Sequence, residues 1–452
     1  MEMKELFDLY KAHPVITTDS RHCPEGSIFV ALKGATFDGN QYARQALAQG
    51  CSYAIIDDPA VAETGEKDDR LIVVADALQT YKDLAREHRR QFDIPVVAIT
   101  GTNGKTTTKE LVSAVLAEEY RVMATEGNFN NDVGVPKTLL RLTDKDDIAV
   151  VEMGASHPGD IKTLVETAEP TSGIVTNVGR AHLDGFGSMD GVRETKGELY
   201  DYLVAKGHPI FANYDDEQLK VMIMMATVKN AKSLDDVPDV YFYGQSDAPD
   251  ILIRGEVVKC DPFLTFRWRE QDADTDYKSE WMEVKTQLIG DYNLNNLLAA
   301  ITVGYVNNIS FEKINHALAS YVPTNNRSQL VNTEHNCLIV DAYNANPTSM
   351  KAALDNFRRI EAPHKMVILG MMGALADVSA DEHRKVVARL QKDQIEEVWL
   401  VGSEFEKIES PYRTFADVEA VKAELKANRP EGRTILIKGS NSNRLFELPE
   451  LL

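Results

Sequence analysis

Residues 94–110, which read IPVVAITGTNGKTTTKE, constrain the fold more strongly than any other stretch of this chain. An apolar, β-branched run ends at Thr100, a turn with Gly101 and Gly104 follows, and apolar residues recur with helical spacing after Lys105. A strand, a glycine turn and a helix in this order form a cradle for phosphate, because the turn N–H groups and the helix N-terminus both face the anion. The stretch therefore predicts an α/β domain with a phosphate-binding loop at a strand end.

This loop is a variant, because Ile99 stands where the strict G-x-x-x-x-G-K-[ST] pattern has its first glycine. In the strict motif the lysine reaches the outer phosphates and the next hydroxyl contacts Mg²⁺, and we predict these roles for Lys105 and Thr106. A solvated lysine on an ordinary glycine-rich turn is the alternative. The predicted nucleotide-binding residues of the loop are Gly101, Thr102, Asn103, Gly104, Lys105, Thr106 and Thr107.

The net charge of the chain argues against broad classes of partner. A formal charge of −21 disfavours a general nucleic-acid binder or a binder of anionic membranes, since both need a basic face. The first residues carry no secretory signal, no apolar run approaches the ~20 residues of a membrane span, and the four cysteines are scattered. We therefore expect a cytoplasmic protein with free thiols and with neither nucleic acid nor membrane as a partner.

A chain of 452 residues should form two or three domains, because single cores stop growing near ~250 residues. We predict an α/β protein of three domains. Residues 1–90 form a small α/β domain, and residues 91–322 form a parallel sheet with helices on both faces and antiparallel strands beside it. After a linker at 321–327, residues 323–452 form a Rossmann-like domain, which lacks G-x-G-x-x-G and is not assigned a dinucleotide.

Polar residues follow two of the predicted central strands. Glu152 ends the apolar strand in IAVVEMGAS, where an isolated charge is costly unless it meets a cation, and His182 lies just past the next strand. Because ligands bind at the carboxyl ends of parallel strands, we predict that both residues help to hold a metal beside the phosphate loop. A capping or ion-paired glutamate and a structural histidine are the alternatives.

Three loops leave their roles open from the residues alone. The Asn-rich loop at 127–138 could hold a polar ligand or form ordinary turns. The asparagines that follow Gly290 could cap a helix or contact an adenine edge, and the segment from Asp19 to Arg21 could be a turn or a ligand contact. Asp341, with Asn344 and Asn346 after it, lies where a strand end meets a helix start, which is again the functional edge.

Two helical segments are interpreted as structural from their pattern. Lys196, near the middle of GVRETKGELYDYL, reads as a surface lysine, and the run Val221–Met225 reads as the buried stripe of a helix.

Several motifs together resemble the Mur ligases, the ATP-dependent amino-acid ligases of peptidoglycan precursor synthesis. They are GTNGKTTT, the glutamate after an apolar strand, NVGRAHLDGFGS, the lysine in ETKGELY, the G-x-x-N-x-x-N spacing of Gly290–Asn296, and an arginine shortly before a strand-end aspartate. The resemblance spans about residues 15–445, in the order of the family. It implies ATP and Mg²⁺ as cofactors.

The resemblance also implies roles for individual residues. Lys196 matches a lysine that is carbamylated in many members, so it would be a metal ligand and not a surface residue. The implied catalytic residues are Lys105, His182, Lys196 and Arg327. The implied metal ligands are Thr106, Glu152, His182 and Lys196. Beyond the phosphate loop, the implied ATP contacts are Asn293, Asn296, Arg327 and Asp341, with Tyr292 replacing a common histidine.

Within the family, DAYNANPTSM and GNFNNDVGVP resemble the member that joins D-alanyl-D-alanine to UDP-N-acetylmuramoyl-tripeptide. We expect these two substrates, a monomer, and an acyl-phosphate intermediate. A member that adds a single amino acid, or a nucleotide-gated regulatory protein, are the alternatives. The implied substrate contacts are Asp19, Ser20, Arg21, Ser27, Phe29, Gly34, Asn128, Asn130, Asn131, Asp132, Tyr343, Asn344 and Asn346. The family departures are LGMMGALAD at 369–377 and Asn441 in the last domain.

Overall fold

The computed structural model describes residues 2–64, 67–233, 236–272, 275, 277–324 and 326–452. Residue 325 of the predicted linker lies outside the described residues. Three sheets, one in each predicted domain, organise the described chain. The predicted three-domain α/β class is confirmed, and the exact boundaries at 90 and 322 stay predictions.

The first sheet consists, among the described residues, of four parallel strands in the order β1-β2-β3-β4. Its elements are α1 (Met3–Ala12), β1 (Ile16–Thr17), β2 (Ile28–Val30), α2 (Ala43–Ala48), β3 (Tyr53–Ile56), α3 (Pro59–Glu63), β4 (Leu71–Val73) and α4 (Ala77–Arg89). Helix α1, which the sequence analysis did not predict, buries Leu6, Phe7 and Tyr10 against α4 and the sheet. This apolar stripe at i, i+1 and i+4 explains why the segment is helical.

The central sheet has the order β13-β12-β11-β10-β9-β8-β5-β7-β6, with β14 paired to β12. Its strands are β5 (Val96–Thr100), β6 (Val122–Ala124), β7 (Ile148–Glu152), β8 (Ser172–Val175), β9 (Ile210–Asn213), β10 (Val240–Gly244), β11 (Ile251–Cys260), β12 (Phe263–Asp272), β13 (Tyr277–Lys278) and β14 (Met282–Ile289). Its helices are α5 (Lys105–Leu116), α6 (Gly134–Leu139), α7 (Asp160–Ala168), α8 (Leu183–Phe186), α9 (Met189–Lys206), α10 (Glu217–Asn230), α11 (Leu294–Val306) and α12 (Phe311–Ser320).

Strand β5 lies inside the central sheet, and its side chains alternate between two cores. Val96 and Ala98 face the core on one side of the sheet, and Val97 and Ile99 face the core on the other, as a period of two residues requires. β5 pairs in parallel with β7 and with β8. The carboxyl ends of these three strands therefore meet at one edge, with the phosphate loop at their centre.

The predicted antiparallel strands are present beside the parallel ones, because β12 pairs antiparallel with both β11 and β14.

The prediction for Val221–Met225 is wrong in part. Met222 and Ile223 are buried, whereas Val221, Met224 and Met225 are exposed. Five consecutive helical residues point in every direction around the axis, and one face of α10 packs against α9, so an unbroken apolar run cannot all be core.

The last sheet has the order β15-β16-β20-β17-β18-β19, in which β15 is antiparallel to β16 and the other pairs are parallel. Its elements are β15 (Gln329–Asn332), β16 (Cys337–Asp341), α13 (Pro347–Arg359), β17 (Lys365–Gly370), α14 (Ser379–Asp393), β18 (Glu397–Val401), α15 (Ser403–Glu406), β19 (Arg413–Phe415), α16 (Val418–Ala427) and β20 (Thr434–Lys438). Within the part of the chain that is described, no helix has the length and apolar character that a membrane crossing requires.

Candidate active site

A cavity of about 520 Å³ lies at the carboxyl edge of the central sheet and is closed on one side by the last domain. The central sheet contributes the phosphate loop, Glu152, His182 and Lys196, and the last domain contributes residues from Arg327 to Ala352 together with Lys438. The structure therefore brings together residues that are up to 337 positions apart in the chain, from Gly101 to Lys438.

The phosphate loop has the backbone shape that its glycines allow. Gly101 and Gly104 have φ of 136° and 81°, a region that other residues rarely adopt, and α5 begins immediately afterwards at Lys105. Lys105 Nζ donates to the carbonyl oxygens of Gly101 at 2.8 Å and Thr102 at 3.1 Å. Burial lowers the pKa of Lys105 to about 8, against the opposing effect of the Glu152 carboxylate.

Glu152 is 1% exposed and faces the phosphate loop from the end of β7. Its Oε2 accepts a hydrogen bond from Thr106 Oγ1 at 2.9 Å, and its Oε1 accepts one from Asn130 Nδ2 at 2.8 Å. The N-cap of the following helix α7 is Gly159, so Glu152 does not cap that helix. A buried carboxylate held by two neutral donors beside the loop is placed to meet a cation.

Lys196 is 2% exposed, so the interpretation as a surface lysine is wrong. The missed signal is its spacing, because Val192, Lys196, Leu199 and Leu203 lie on the buried face of α9. Lys196 Nζ lies 5.7 Å from the centroid of the Phe186 ring. Burial, and then the charge of Lys105, lower the pKa of Lys196 to about 7.

His182 lines the same cavity as Lys196 and Lys105. Burial lowers its pKa, and the charges of Lys105 and Lys196 lower it further. The histidine is in the left-handed backbone region, with φ of 50°, just before the short helix α8. A neutral imidazole at this edge is able to bind a metal or a proton, and the positive charges of Lys105 and Lys196 disfavour the imidazolium.

The asparagines at the start of α11 support the phosphate loop. Asn293 Nδ2 donates to Ile289 O at 2.9 Å, and Asn293 Oδ1 accepts from Asn296 Nδ2 at 2.9 Å. Asn296 Oδ1 in turn accepts from Thr108 Oγ1 at 3.1 Å. Asn293 is the N-cap residue of α11, but its side chain makes no capping bond, so the capping interpretation is wrong. Contact with an adenine stays a prediction.

The last domain places a cation and an ion pair at the cavity. The Cζ atom of Arg327 lies 4.1 Å from the centroid of the Tyr343 ring. Lys438, which is 1% exposed, pairs with Asp341 at 2.6 Å and donates to Asn344 O at 3.2 Å. The sequence analysis missed Lys438, although a lysine that ends a buried apolar strand is the same signal that identified Glu152.

Asn346 connects the two domains directly. Its Nδ2 donates to Asn103 Oδ1 of the phosphate loop at 2.7 Å, and its Oδ1 accepts from Ser349 N at 2.9 Å as the N-cap of α13. Both polar groups of the side chain are therefore engaged within the protein in this structure. The predicted contact of Asn346 with a substrate stays a prediction.

Other predicted substrate residues lie away from this cavity or inside a core. Of the Asn-rich loop, Asn130 and Asn131 line the cavity, whereas Asn128 and Asp132 are exposed and do not line it. Ser27 and Phe29 are buried in the first domain, so any contribution of their side chains to binding is indirect. The remaining first-domain residues, which do not line the cavity either, are Asp19, Ser20, Arg21 and Gly34.

The residues present fit a nucleotide with Mg²⁺. Mg²⁺ uses oxygen ligands and is usually held by one or two carboxylates together with phosphates and water. The Thr106 hydroxyl and the Glu152 carboxylate supply such oxygens at the loop. In the described ranges, no three or more His, Cys, Asp and Glu residues cluster as a metal site.

A phosphate loop at the centre of a parallel sheet, with a buried carboxylate and a second domain closing over it, defines a nucleotide-binding α/β protein of several domains. Three family descriptions match the chain: Mur ligase family, catalytic domain, over residues 14–92, Mur ligase middle domain over residues 99–304, and Mur ligase, glutamate ligase domain, over residues 326–441. The chain belongs to the Mur ligase family.

Curated relatives match nearly the whole chain. The UDP-N-acetylmuramoyl-tripeptide--D-alanyl-D-alanine ligase of Bacillus subtilis (strain 168) is 31% identical over 96% of this chain and 92% of its own length. The ligase with the same name from Escherichia coli (strain K12) is 31% identical, over 97% of this chain and 93% of its own length.

Solved structures agree with these relatives. MurF from Acinetobacter baumannii has a TM-score of 0.82 at 27% identity and covers 98% of both chains. MurF ligase from Thermotoga maritima in complex with ADP has a TM-score of 0.83 at 26% identity and covers 98% of this chain and 97% of its own. The predicted membership of the family is therefore confirmed.

Proposed function

We propose that this protein is an ATP-dependent ligase that joins D-alanyl-D-alanine to UDP-N-acetylmuramoyl-tripeptide in peptidoglycan precursor synthesis. The observation that carries the proposal is the cavity, in which Lys105, Glu152, His182 and Lys196 meet Arg327 of the last domain. The two curated relatives with this name match 96% and 97% of the chain, so they include both halves of the cavity.

The first step of the proposed reaction needs a site that stabilises the negative charge of the phosphoryl group during its transfer. The carboxylate of the tripeptide attacks the outer phosphorus of ATP, an acyl phosphate forms and ADP leaves. Lys105 and the N–H groups of the loop stabilise the negative charge that spreads over the transferring group, and Arg327 does so from the other side of the cavity. Lys105 Nζ donates to the carbonyl oxygens of Gly101 and Thr102 in this structure, so it would exchange these partners for phosphate oxygens when ATP binds.

Mg²⁺ would neutralise phosphate charge in this site. Thr106 and Glu152 are the residues whose oxygen atoms would hold it, with His182 beside them. Lys196 has a pKa of about 7, so its amine is neutral in a large fraction of the molecules at neutral pH. An uncharged amine is the form that reacts with carbon dioxide, so the buried lysine is able to become the carboxylate-bearing ligand that the family resemblance implies.

The second step forms the peptide bond. The amine of D-alanyl-D-alanine attacks the acyl carbon, inorganic phosphate leaves, and the amine loses a proton. An acyl phosphate reacts readily with water, so the last domain must cover the cavity while it exists. Asn103 and Asn346 already join the two domains across the phosphate loop, at 2.7 Å.

The direct test is phosphate release from ATP by the purified full chain, with UDP-N-acetylmuramoyl-tripeptide and D-alanyl-D-alanine added together or separately. We expect release that requires both, and a product whose mass equals the two substrates joined less one water. Release with a single amino acid in place of the dipeptide would assign a sibling reaction. ATP binding without release under any of these conditions would favour the regulatory alternative.

A further inference from the structure

Three consecutive residues after Gly290 contact three different parts of the molecule. Asp291 forms an ion pair with Arg359, at the end of α13 in the last domain, at 2.7 Å. The Tyr292 hydroxyl lies 2.6 Å from Ser328 Oγ in the connection between the domains. Asn293 holds Asn296, which accepts from Thr108 in the phosphate-loop helix. The segment 291–293 therefore links the nucleotide loop with the connection and with the last domain.

The connection has an unusual backbone on both sides of Arg327. Asn326 and Ser328 have φ of 52° and 50°, in the left-handed region that costs a residue with a side chain about 1 kcal/mol. Such a conformation persists only where neighbouring contacts hold it. One of these contacts is the bond from Ala342 N to Asn326 O at 3.0 Å, and another is the bond between the Tyr292 and Ser328 side chains.

The bond between the two hydroxyls is part-buried, with Ser328 the more enclosed partner. Tyr292 lines the inside of the cavity wall, and burial raises its pKa well above the usual range, so the phenol stays protonated. Ser328 is 7% exposed. A buried hydroxyl that loses its partner is left unsatisfied, which costs about 1–3 kcal/mol, so the pair strongly resists separation.

The side chain that this backbone presents is incompletely bonded. Arg327 lines the cavity and stacks on Tyr343, and its Nε is buried and has no hydrogen-bond partner among the described residues. A guanidinium Nε–H is a donor in a fixed plane, so it needs an acceptor at one particular place. Phosphate oxygens bound in the cavity that Arg327 lines would provide one once the side chain turns towards them.

We infer that Tyr292 and Ser328 are positioning residues for Arg327, and that their hydrogen bond directs the guanidinium towards the phosphates of the bound nucleotide. This inference rests on the proposed function where it is tested by kcat/KM. Where it is tested by binding of an ATP analogue, it rests on nucleotide binding alone. The hydroxyl of Tyr292 does no chemistry itself. It holds the strained residue next to Arg327, and Tyr343 holds the guanidinium plane.

The test is a double-mutant cycle in the full chain. We expect Tyr292→Phe and Ser328→Ala each to lower kcat/KM for ATP by about five- to tenfold, the factor that one hydrogen bond is worth. The double variant should be no worse than either single one, because it leaves no buried hydroxyl without its partner. Tyr120→Phe is the matched control, since its hydroxyl donates to Asn307 O at 2.9 Å away from the cavity and its activity should not change.

The role of Arg327 is tested in a second cycle. In an Arg327→Ala background, Tyr292→Phe should cause no further loss of kcat/KM, although its effect on the thermal unfolding midpoint should remain. An equal loss in both backgrounds would overturn the inference, because the tyrosine would then act on folding or docking in general. Wild-type activity in both Tyr292→Phe and Ser328→Ala would overturn it as well.

Binding of the non-hydrolysable ATP analogue AMP-PNP, measured by calorimetry, separates this inference from the proposed function. We expect the Kd to rise about five- to tenfold in Tyr292→Phe and to stay unchanged in Tyr120→Phe. If the wild type bound AMP-PNP but joined no dipeptide, the proposed function would fail while this readout still stood. An unchanged Kd in Tyr292→Phe would reject the positioning role whatever the reaction is.

Discussion

The hydroxyl of Thr106 donates to the carboxylate of Glu152 across 2.9 Å, although the two residues are 46 positions apart in the chain. Thr106 follows β5 and Glu152 ends β7, and these strands are paired neighbours in the sheet. The pair marks the place where phosphate and a divalent cation would meet. Its chemistry, and that of the residues around it, leads to four predictions.

Replacing Glu152 with Gln should lower kcat by at least about 100-fold, because the neutral amide keeps the shape but loses the charge that a cation needs. Added Mg²⁺ should recover part of the activity, with a half-maximal concentration well above that of the wild type. Glu256→Gln is the matched control, since that carboxylate pairs with Arg267 on an antiparallel strand away from the cavity. Equal Mg²⁺ dependence in wild type and Glu152→Gln would contradict the metal role.

The stability of the protein should depend on pH through Lys196. Its folded-state pKa of about 7 lies below the ordinary value of 10.5, so between these pH values the unfolded chain carries a proton that the folded chain lacks. Stability contributed by this group therefore rises with pH across that window. In Lys196→Met, the slope of unfolding free energy against pH should be smaller by about 1.4 kcal/mol per pH unit.

Denaturant unfolding at several pH values between 7 and 10.5 measures this slope. Lys229→Met is the control, because Asp201 raises the pKa of Lys229, which is the opposite direction to the shift of Lys196. The same slope in Lys196→Met and in the wild type would show that Lys196 is not a free, neutral amine in the folded protein.

Removing the side chain of Asn346 should show whether its contact with the phosphate loop serves activity as well as the stability of the last domain. Asn346→Ala loses the N-cap of α13 and the bond to Asn103, and the cap alone is worth about 1 kcal/mol. Asp417→Ala loses the N-cap of α16 in the same domain, outside the cavity. We expect both variants to lower the thermal midpoint by a few degrees, and Asn346→Ala alone to lower kcat/KM for ATP. Equal activity in the two variants would remove the docking role.

The ion pair of Asp341 and Lys438 should be far more costly to break than to replace. Asp341→Asn leaves a lysine that is 1% exposed without its charged partner, so we expect a loss of about 3–5 kcal/mol in unfolding free energy. Replacing both residues, as Asp341→Asn with Lys438→Met, should recover most of that loss. Denaturant unfolding of both variants measures the difference, and a double variant as unstable as the single one would disprove the pairing argument.

Much of the fold was predictable because local patterns are strong where an element is buried on several sides. The strands at Val96–Thr100 and Ile148–Glu152 end at the residues that the sequence indicates, Thr100 and Glu152, since each is an apolar, β-branched run bounded by polar residues. The amphipathic helix α1 and the short strand β6 were missed. Their apolar signals are brief, and packing against other elements stabilises them.

The candidate site was predictable in part for a related reason. Glu152 and His182 were identified because a polar residue after an apolar strand is conspicuous. Lys196 was misjudged because the sequence around a single helical residue does not show whether its face of the helix packs against the protein or is exposed to solvent. Tyr292 and Lys438 received no role of their own, since the chain alone does not show that Ser328 and Asp341 lie beside them.

By itself, the sequence determined the class of the protein, the phosphate loop and the strand ends that carry its chemistry, because glycine turns and apolar periodicity act over a few residues. Only the tertiary structure decided which of these residues meet. Strand order places β7 and β8 beside β5, and the docking of the last domain places Asn346 on Asn103 and Arg327 at the cavity. Burial then shifts the pKa of Lys196 to about 7, a property that depends on what covers a side chain and not on its neighbours in the chain.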